Sequence, residues 1–476
     1  MEKTKKWGLM LGPLAFLALV NLPIELVSPK GDHVIAVAVW MLIWWITEAV
    51  SISVTALLPL LLFPLLKILP IAEVGANYGS PIVFLFFGGF VMALALEKVN
   101  LHRRIALNII KLTGTTPNRV ILGFMIATAS LSMWISNTAS TVVMLPIALS
   151  VISLLINDED GFTKNDKNFA LSVMLGIAFS ANAGGIATVI GTPPNSVLIG
   201  LLENEYNTEI SFLKWMTLGL PFSTIMIAIS YLVLVKWMFP NRDLKFNASK
   251  EVIQQELKKL GPTSRKEKMV LVIFAITVFL WISRTLINSI FPTLGLSDTM
   301  ISIFAAISLF AVPYNIKNGD FIITWKDTSK LAWGILILFG GGLALAKGMS
   351  VSGIVDLVAS TIAQSEISIV FTAFLLILLM LFMTELMSNV ALVAVLAPVV
   401  AGIAIGLNIP ILYLLIPVTM ASSCAFMLPM ATPPNAIVFA SGYVKVPEMA
   451  RVGVILNLIA VALLVLVFQF VVPLLF

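Results

Sequence analysis

Charge is what this chain has least of. Of its 476 residues only 11% are Asp, Glu, Lys or Arg, against 59% hydrophobic, whereas an ordinary soluble domain carries about 25% charge. That excludes a soluble enzyme of this length, and the mean hydropathy of +1.04 points the same way. Cysteine occurs once, as Cys424, which rules out an intrachain disulfide. Histidine occurs twice, as His33 and His102, both at segment edges and in no metal cluster. The word His-Glu-x-x-His is absent and Asp356 stands alone in its segment, so neither a metal-dependent nor a paired-aspartate intramembrane protease is supported. The net charge of +5 is spread among short loops. It reports membrane orientation and gives no sign of a nucleic-acid partner.

What the chain does have is apolar length. Apolar segments run approximately 8–27, 33–49, 52–69, 80–97, 117–156, 169–203, 213–238, 268–290, 297–313, 331–349, 367–407, 410–442 and 450–475. About 20 residues suffice to cross a hydrocarbon core, so this is an all-α polytopic membrane protein. The basic start Met1–Lys6 is followed by an apolar run with no small-residue cleavage site, which reads as a retained span and not a signal peptide.

Segments 117–156, 169–203, 367–407 and 410–442 carry polar breaks, and the breaks use the same words twice. Gly88-Gly89, Ser136-Asn137-Thr138 and Gly191-Thr192-Pro193-Pro194-Asn195 are echoed by Gly340-Gly341, Ser388-Asn389-Val390 and Ala431-Thr432-Pro433-Pro434-Asn435. Gly88 to Asn137 spans 49 residues, as does Gly340 to Asn389. Such an echo marks an internal repeat with a transport site between the halves. Consecutive prolines remove backbone donors, and broken backbone at membrane depth survives only where protein or water satisfies it. If 117–156 and 367–407 are re-entrant hairpins and 169–203 and 410–442 are broken helices, the chain makes 11 crossings, with 24 of 29 basic residues on the cytoplasmic side, the required bias. The expected organisation is then an N-terminal span (1–32), a first repeat of five spans (33–238), a solvated cytoplasmic linker (239–267) and a second, inverted repeat of five spans (268–476). Stretches 100–112 and 353–364 are too short to span and are expected along the surface.

The breaks are almost free of charge. Between Val120 and Ile156 there is no ionisable side chain, and between Ile367 and Gly442 the only acid is Glu385. Half-helices starting after Asn137 and Asn389 each offer unpaired N–H groups and roughly +0.5 charge, which suits an anion. Two such ends supply about one positive charge, so a dianion needs a co-bound cation or must exchange for another dianion. Carbonyls exposed at the same breaks suit sodium. Gly88-Gly89 and Gly340-Gly341 are expected to permit close helix packing, while Glu48 and Glu385 are expected as buried acids with a structural or ion-site role.

These words resemble the divalent anion/sodium symporter family of di- and tricarboxylate carriers. The resemblance is carried by Trp45-Ile46-Thr47-Glu48-Ala49, Ser132-Met133-Trp134-Ile135-Ser136-Asn137-Thr138, Gly191-Thr192-Pro193-Pro194-Asn195, Thr384-Glu385, Ser388-Asn389 and Ala431-Thr432-Pro433-Pro434-Asn435, and it extends over almost the whole chain. It implies 11 spans with two opposed re-entrant hairpins, a homodimer through a scaffold domain, and elevator-type movement; the charge bias puts the N-terminus in the cytoplasm, with the plasma (inner) membrane as the expected location. No cofactor is implied other than sodium, and the partners implied are small dicarboxylates and membrane lipids. Carried over residue by residue, the substrate would lie between Asn137, Thr138 and Thr192 on one side and Ser388, Asn389 and Thr432 on the other. A first sodium would take Ser132, Ser136, Asn137 and Gly191, and a second Thr384, Met387, Asn389 and Ala431. Two positions depart from the pattern: Met387 stands where the family has Ala, and Val390 where it has Thr. Both changes fit dicarboxylate exchange without sodium, with sodium symport or sulfate transport as alternatives.

Overall fold

A computed structural model describes residues 3–21, 27–114, 116–156, 163–240, 249–315, 319–364 and 367–476. Arg242, Lys245 and Lys317, three of the basic residues assigned to the cytoplasmic side, lie outside them. The described residues are helical apart from turns and one short antiparallel ribbon, Pro313–Asn315 with Asp320–Phe321.

The first half begins with α1 (Lys3–Asn21) and α2 (Pro29–Thr47), followed by the short helices α3 (Ile52–Thr55) and α4 (Leu58–Leu65). Ser28 caps α2 by accepting the Gly31 N–H at 3.0 Å, with Pro29 in the first turn where its missing donor is harmless. Then come α5 (Ile71–Tyr78), α6 (Pro81–Lys98), α7 (Leu101–Thr113), α8 (Pro117–Ser132), α9 (Asn137–Ile156), α10 (Lys164–Gly185), α11 (Pro193–Tyr206) and α12 (Phe212–Leu232). Helix α13 (Ser249–Leu260) leads into α14 (Arg265–Ile290), α15 (Asp298–Ala311), α16 (Trp333–Val351), α17 (Ile354–Ala363), α18 (Ile369–Thr384) and α19 (Asn389–Gly406). The chain closes with α20 (Ile411–Ser422), α21 (Pro433–Ala440) and α22 (Val446–Leu466), which continues to residue 475.

Among the described residues six helices are long and apolar enough to cross a membrane. Of the shorter apolar helices, Asn137–Ser153, Ile369–Thr384 and Ile411–Ser422 start or end at polar breaks. Burial separates two kinds of span. In α5–α6 72% of the apolar window is buried inside the protein, whereas in α14 it is 28%. The stripe of Leu271, Val272, Ile276, Phe279 and Leu286 on α14 is exposed, as a lipid-facing surface must be in a membrane protein. Two apolar clusters result. The larger surrounds the broken helices, and the smaller packs α1, α2 and α4 against α16.

Close packing uses the duplicated glycines. A Cβ on Gly88 would lie 2.1 Å from Ser302 Oγ and 2.5 Å from the Ser302 carbonyl oxygen, and one on Gly341 would lie 2.3 Å from the Ala56 carbonyl oxygen. Two expectations need correction. Glu48 is not a buried acid: its side chain is 69% exposed and pairs with Lys5 at 3.5 Å, at the left-handed position where Glu48 itself ends α2. Nor is 239–267 wholly a solvated linker. Within it, α13 buries Ile253 and Glu256 and docks on α7 and α9. Arg103 of α7 pairs with Glu256, while Arg104 reaches Glu267 at 2.6 Å and the Gly261 carbonyl at 3.0 Å. Hydrogen bonds to Lys259 and the Arg103 charge outweigh burial and hold the Glu256 carboxyl below its usual range.

Candidate functional site

Both hairpin-like segments break where the polar words stand. Helix α8 ends at Ser132 and α9 starts at Asn137, while α18 ends at Thr384 and α19 starts at Asn389. The two long segments that follow are broken between Gly185 and Pro193 and between Ser422 and Pro433. Packing then interleaves the halves. The second piece of the first broken helix, α11, lies against α19, and the second piece of the other, α21, lies against α9. Each break lies beside the tip of its own half, at Ser132–Asn137 and at Thr384–Asn389, while the helix that follows it packs on the opposite half.

Buried side chains satisfy several backbone groups of each break. Asn195, fully buried, donates Nδ2 to the Thr188 carbonyl at 2.8 Å, and Trp215 donates to the Ile186 carbonyl at 3.0 Å. In the other half Asn435, also fully buried, donates Nδ2 to the carbonyls of Ala425 at 3.1 Å and Leu428 at 3.0 Å. The halves then part company. In the first, Thr188 donates its hydroxyl to the Met133 carbonyl at 2.6 Å. In the second, three successive backbone N–H groups point the other way. The Glu385 carboxylate, 2% exposed, accepts from Phe426 at 2.8 Å, Met427 at 2.9 Å and Leu428 at 3.0 Å, and from the Asn457 amide at 2.7 Å. With three successive N–H groups of the break and the Asn457 amide on its two oxygens, Glu385 ties residues 426–428 to the end of α18.

Next to each tip lies a knot of oxygens. Ser132 Oγ lies against Asn137 Oδ1 and 2.8 Å from the Ala181 carbonyl oxygen. Thr384 Oγ1 lies 2.6 Å from Asn389 Oδ1 and 2.7 Å from the Ser422 carbonyl oxygen. In each knot three oxygens share one hydroxyl proton, a donor-poor arrangement of the kind a small cation takes. Gly185 closes the first knot: a Cβ there would lie 2.6 Å from Asn137 Oδ1 and 3.1 Å from the Gly191 carbonyl oxygen. Of the other residues assigned to sodium, Ser136 is exposed, accepting the Ala139 N–H at 3.2 Å, whereas Met387 and Ala431 are each 8% exposed.

The substrate candidates divide by exposure. Asn137, Thr138, Ser388 and Asn389 are half-buried at the tips. Thr192 and Thr432 are buried, each as the N-cap of a Pro-Pro half-helix. Sequence reasoning missed Asn182, Asn457 and the partners of Glu385. An asparagine in an otherwise apolar run was the available signal for the first two. A cavity of about 380 Å³ between α6, α11, α14 and α15 is lined by none of these residues; it touches the first break at Val189 and carries Glu203, Glu209, Arg284 and Asp298.

Residues 3–476 match the family model described as sodium:sulfate symporter transmembrane region. The chain belongs to that family. It is 40% identical over 473 residues, 98% of this chain and 91% of the relative, to the sodium-dependent dicarboxylate transporter SdcS of Staphylococcus saprophyticus. The protein of that name from Staphylococcus aureus matches at the same identity and coverage. Among solved structures, the Alcanivorax borkumensis YdaH transporter matches with a TM-score of 0.59 at 14% identity, covering 84% of this chain and 88% of that one. Neisseria gonorrhoeae MtrF matches with a TM-score of 0.54 at 12% identity, covering 98% and 94%. At such identities the likeness concerns the fold alone. The chain is a multi-pass membrane transport protein and not an enzyme.

Proposed function

We propose that this chain is a secondary carrier of C4–C5 dicarboxylates such as succinate, malate, fumarate or 2-oxoglutarate, driven by sodium. The observation that carries the reading is the mirrored pair of oxygen knots, Ser132–Asn137–Ala181 and Thr384–Asn389–Ser422, each at the start of an uncharged half-helix. Each carboxylate of the substrate meets one tip, through Asn137, Thr138 and Thr192 on one side and Ser388, Asn389 and Thr432 on the other. Sodium in the knots supplies the positive charge that two helix ends cannot, since those ends amount to about one unit together. The relatives' name, sodium-dependent dicarboxylate transporter, supports both the substrate class and the coupling ion. In this reading the two halves are inverted repeats of five spans plus an N-terminal span, 11 crossings in all. The protein works as a homodimer in the plasma membrane with its N-terminus in the cytoplasm, and the broken helices move as an elevator against the rest.

The test is uptake of radiolabelled succinate into proteoliposomes, with and without external sodium and with and without internal succinate, with sulfate as competitor. Sodium-driven uptake into empty vesicles is expected. Asn137→Ala and Asn389→Ala should each abolish it while the protein stays folded, and normal uptake in both variants removes the site assignment. A second reading, exchange of one dicarboxylate for another, is favoured by Met387, buried beside the second knot, and by Val390, which offers no hydroxyl at the second tip. Uptake that needs internal succinate and ignores sodium selects that reading.

A further inference from the structure

Among the candidate substrate residues, one hydroxyl has its donor direction set in advance. Thr432 Oγ1 accepts the Asn435 N–H at 3.4 Å and the Asn182 amide at 3.1 Å. A hydroxyl has two acceptor lone pairs and one proton. Neither of these nitrogens can accept, so the Thr432 proton is left for a partner other than these two groups. Thr192, the equivalent cap of the first half, has no side-chain cap bond, so the arrangement belongs to one half alone.

Asn182 is what makes the difference. It sits in the last turn of α10, in the first half, and is 1% exposed. Its Nδ2 faces the Ala425 carbonyl at 3.0 Å, Thr432 Oγ1 at 3.1 Å and Asn435 Oδ1 at 3.2 Å. The Ala425 carbonyl can only accept, which fixes the orientation of the amide. The residue before it, Ala181, gives its carbonyl to the Ser132 knot. One helical turn therefore touches the cation knot of the first half and the substrate threonine of the second.

We infer that Asn182 is a positioning residue that aims the Thr432 hydroxyl at a substrate carboxylate, across the boundary between the halves. This rests on the dicarboxylate reading above. Asn182 does not touch the substrate. It holds Thr432 as an acceptor so that the proton of Thr432 is delivered to the anion without reorientation on binding.

A double-mutant cycle tests it. Succinate affinity is measured at saturating sodium on the purified full-length protein with Asn182→Leu, which keeps the volume and removes the amide, with Thr432→Val, and with both. Asn182→Leu should weaken succinate about tenfold when Thr432 is present and less than twofold when Val stands there, a coupling within the usual range for contacting residues. Sodium affinity, read in the same titrations without succinate, should change less than twofold. Equal losses from Asn182→Leu in both backgrounds mean a merely structural role and overturn the inference. Should Asn182→Leu fail to fold, Asn182→Ser, which is too short to reach Thr432, takes its place with the same expectations. Absence of any succinate binding by the unmodified protein removes the dicarboxylate reading itself, a failure the cycle does not mimic.

Discussion

Replacing Glu385 probes the second break most directly. Its carboxylate receives three backbone N–H groups and one amide, three of them on Oε1 and the Leu428 N–H on Oε2. In Glu385→Ala all four donors lose their partner. A buried donor left unsatisfied costs about 1–3 kcal/mol, so the total is on the order of 6 kcal/mol, to which a cavity adds more. That is comparable to the whole stability of many domains. Glu385→Gln is a different perturbation. Its oxygen keeps the contacts of Oε1, but its NH₂ is pressed against the Leu428 N–H, and charge-assisted bonds become neutral ones about half as strong. Relief from burying a charge offsets part of this, leaving a net loss of about 1–3 kcal/mol. The assay is the temperature at which half of the detergent-purified protein remains monodisperse, followed by succinate uptake. The expected order is Ala far below Gln, and Gln below the unmodified protein. Uptake should fall in Glu385→Gln too, because the clamped stretch leads directly into Ala431 and Thr432. An alanine variant as stable as the glutamine variant refutes the clamp.

Two further expectations follow from glycine geometry. Gly88→Ala should cost several kcal/mol, since its methyl would meet the Ser302 backbone at 2.5 Å, whereas the neighbouring Gly89→Ala, whose nearest contact is Ile190 Cγ2 at 3.6 Å, should be tolerated; expression and thermal stability of the pair decide. Gly185→Ala would place a methyl 2.6 Å from Asn137 Oδ1, so it should raise the sodium concentration for half-maximal uptake at least tenfold. An unchanged sodium response would remove the first knot as a cation site.

Much of this was legible in the chain itself, for local reasons. Hydropathy is a sum over neighbours, so the membrane class needs no tertiary information. Consecutive prolines cannot continue a helix but can open one, and α11 and α21 accordingly begin at Pro193 and Pro433, after α10 and α20 have ended at Gly185 and Ser422. The duplicated spacing pointed to Asn137 and Asn389 because identical words at identical intervals need identical backbones. Tertiary structure alone decided what each polar group faces. Asn182 and Thr432 are 250 residues apart, and no spacing rule connects them. Glu48 and Glu385 looked alike as acids in apolar sequence, yet one lies outside paired with Lys5 and the other is enclosed by donors from residues 426–428 and Asn457. A buried polar side chain is defined by the partner that satisfies it, and for Asn182 and Glu385 those partners come from the opposite half of the chain or from segments far along it.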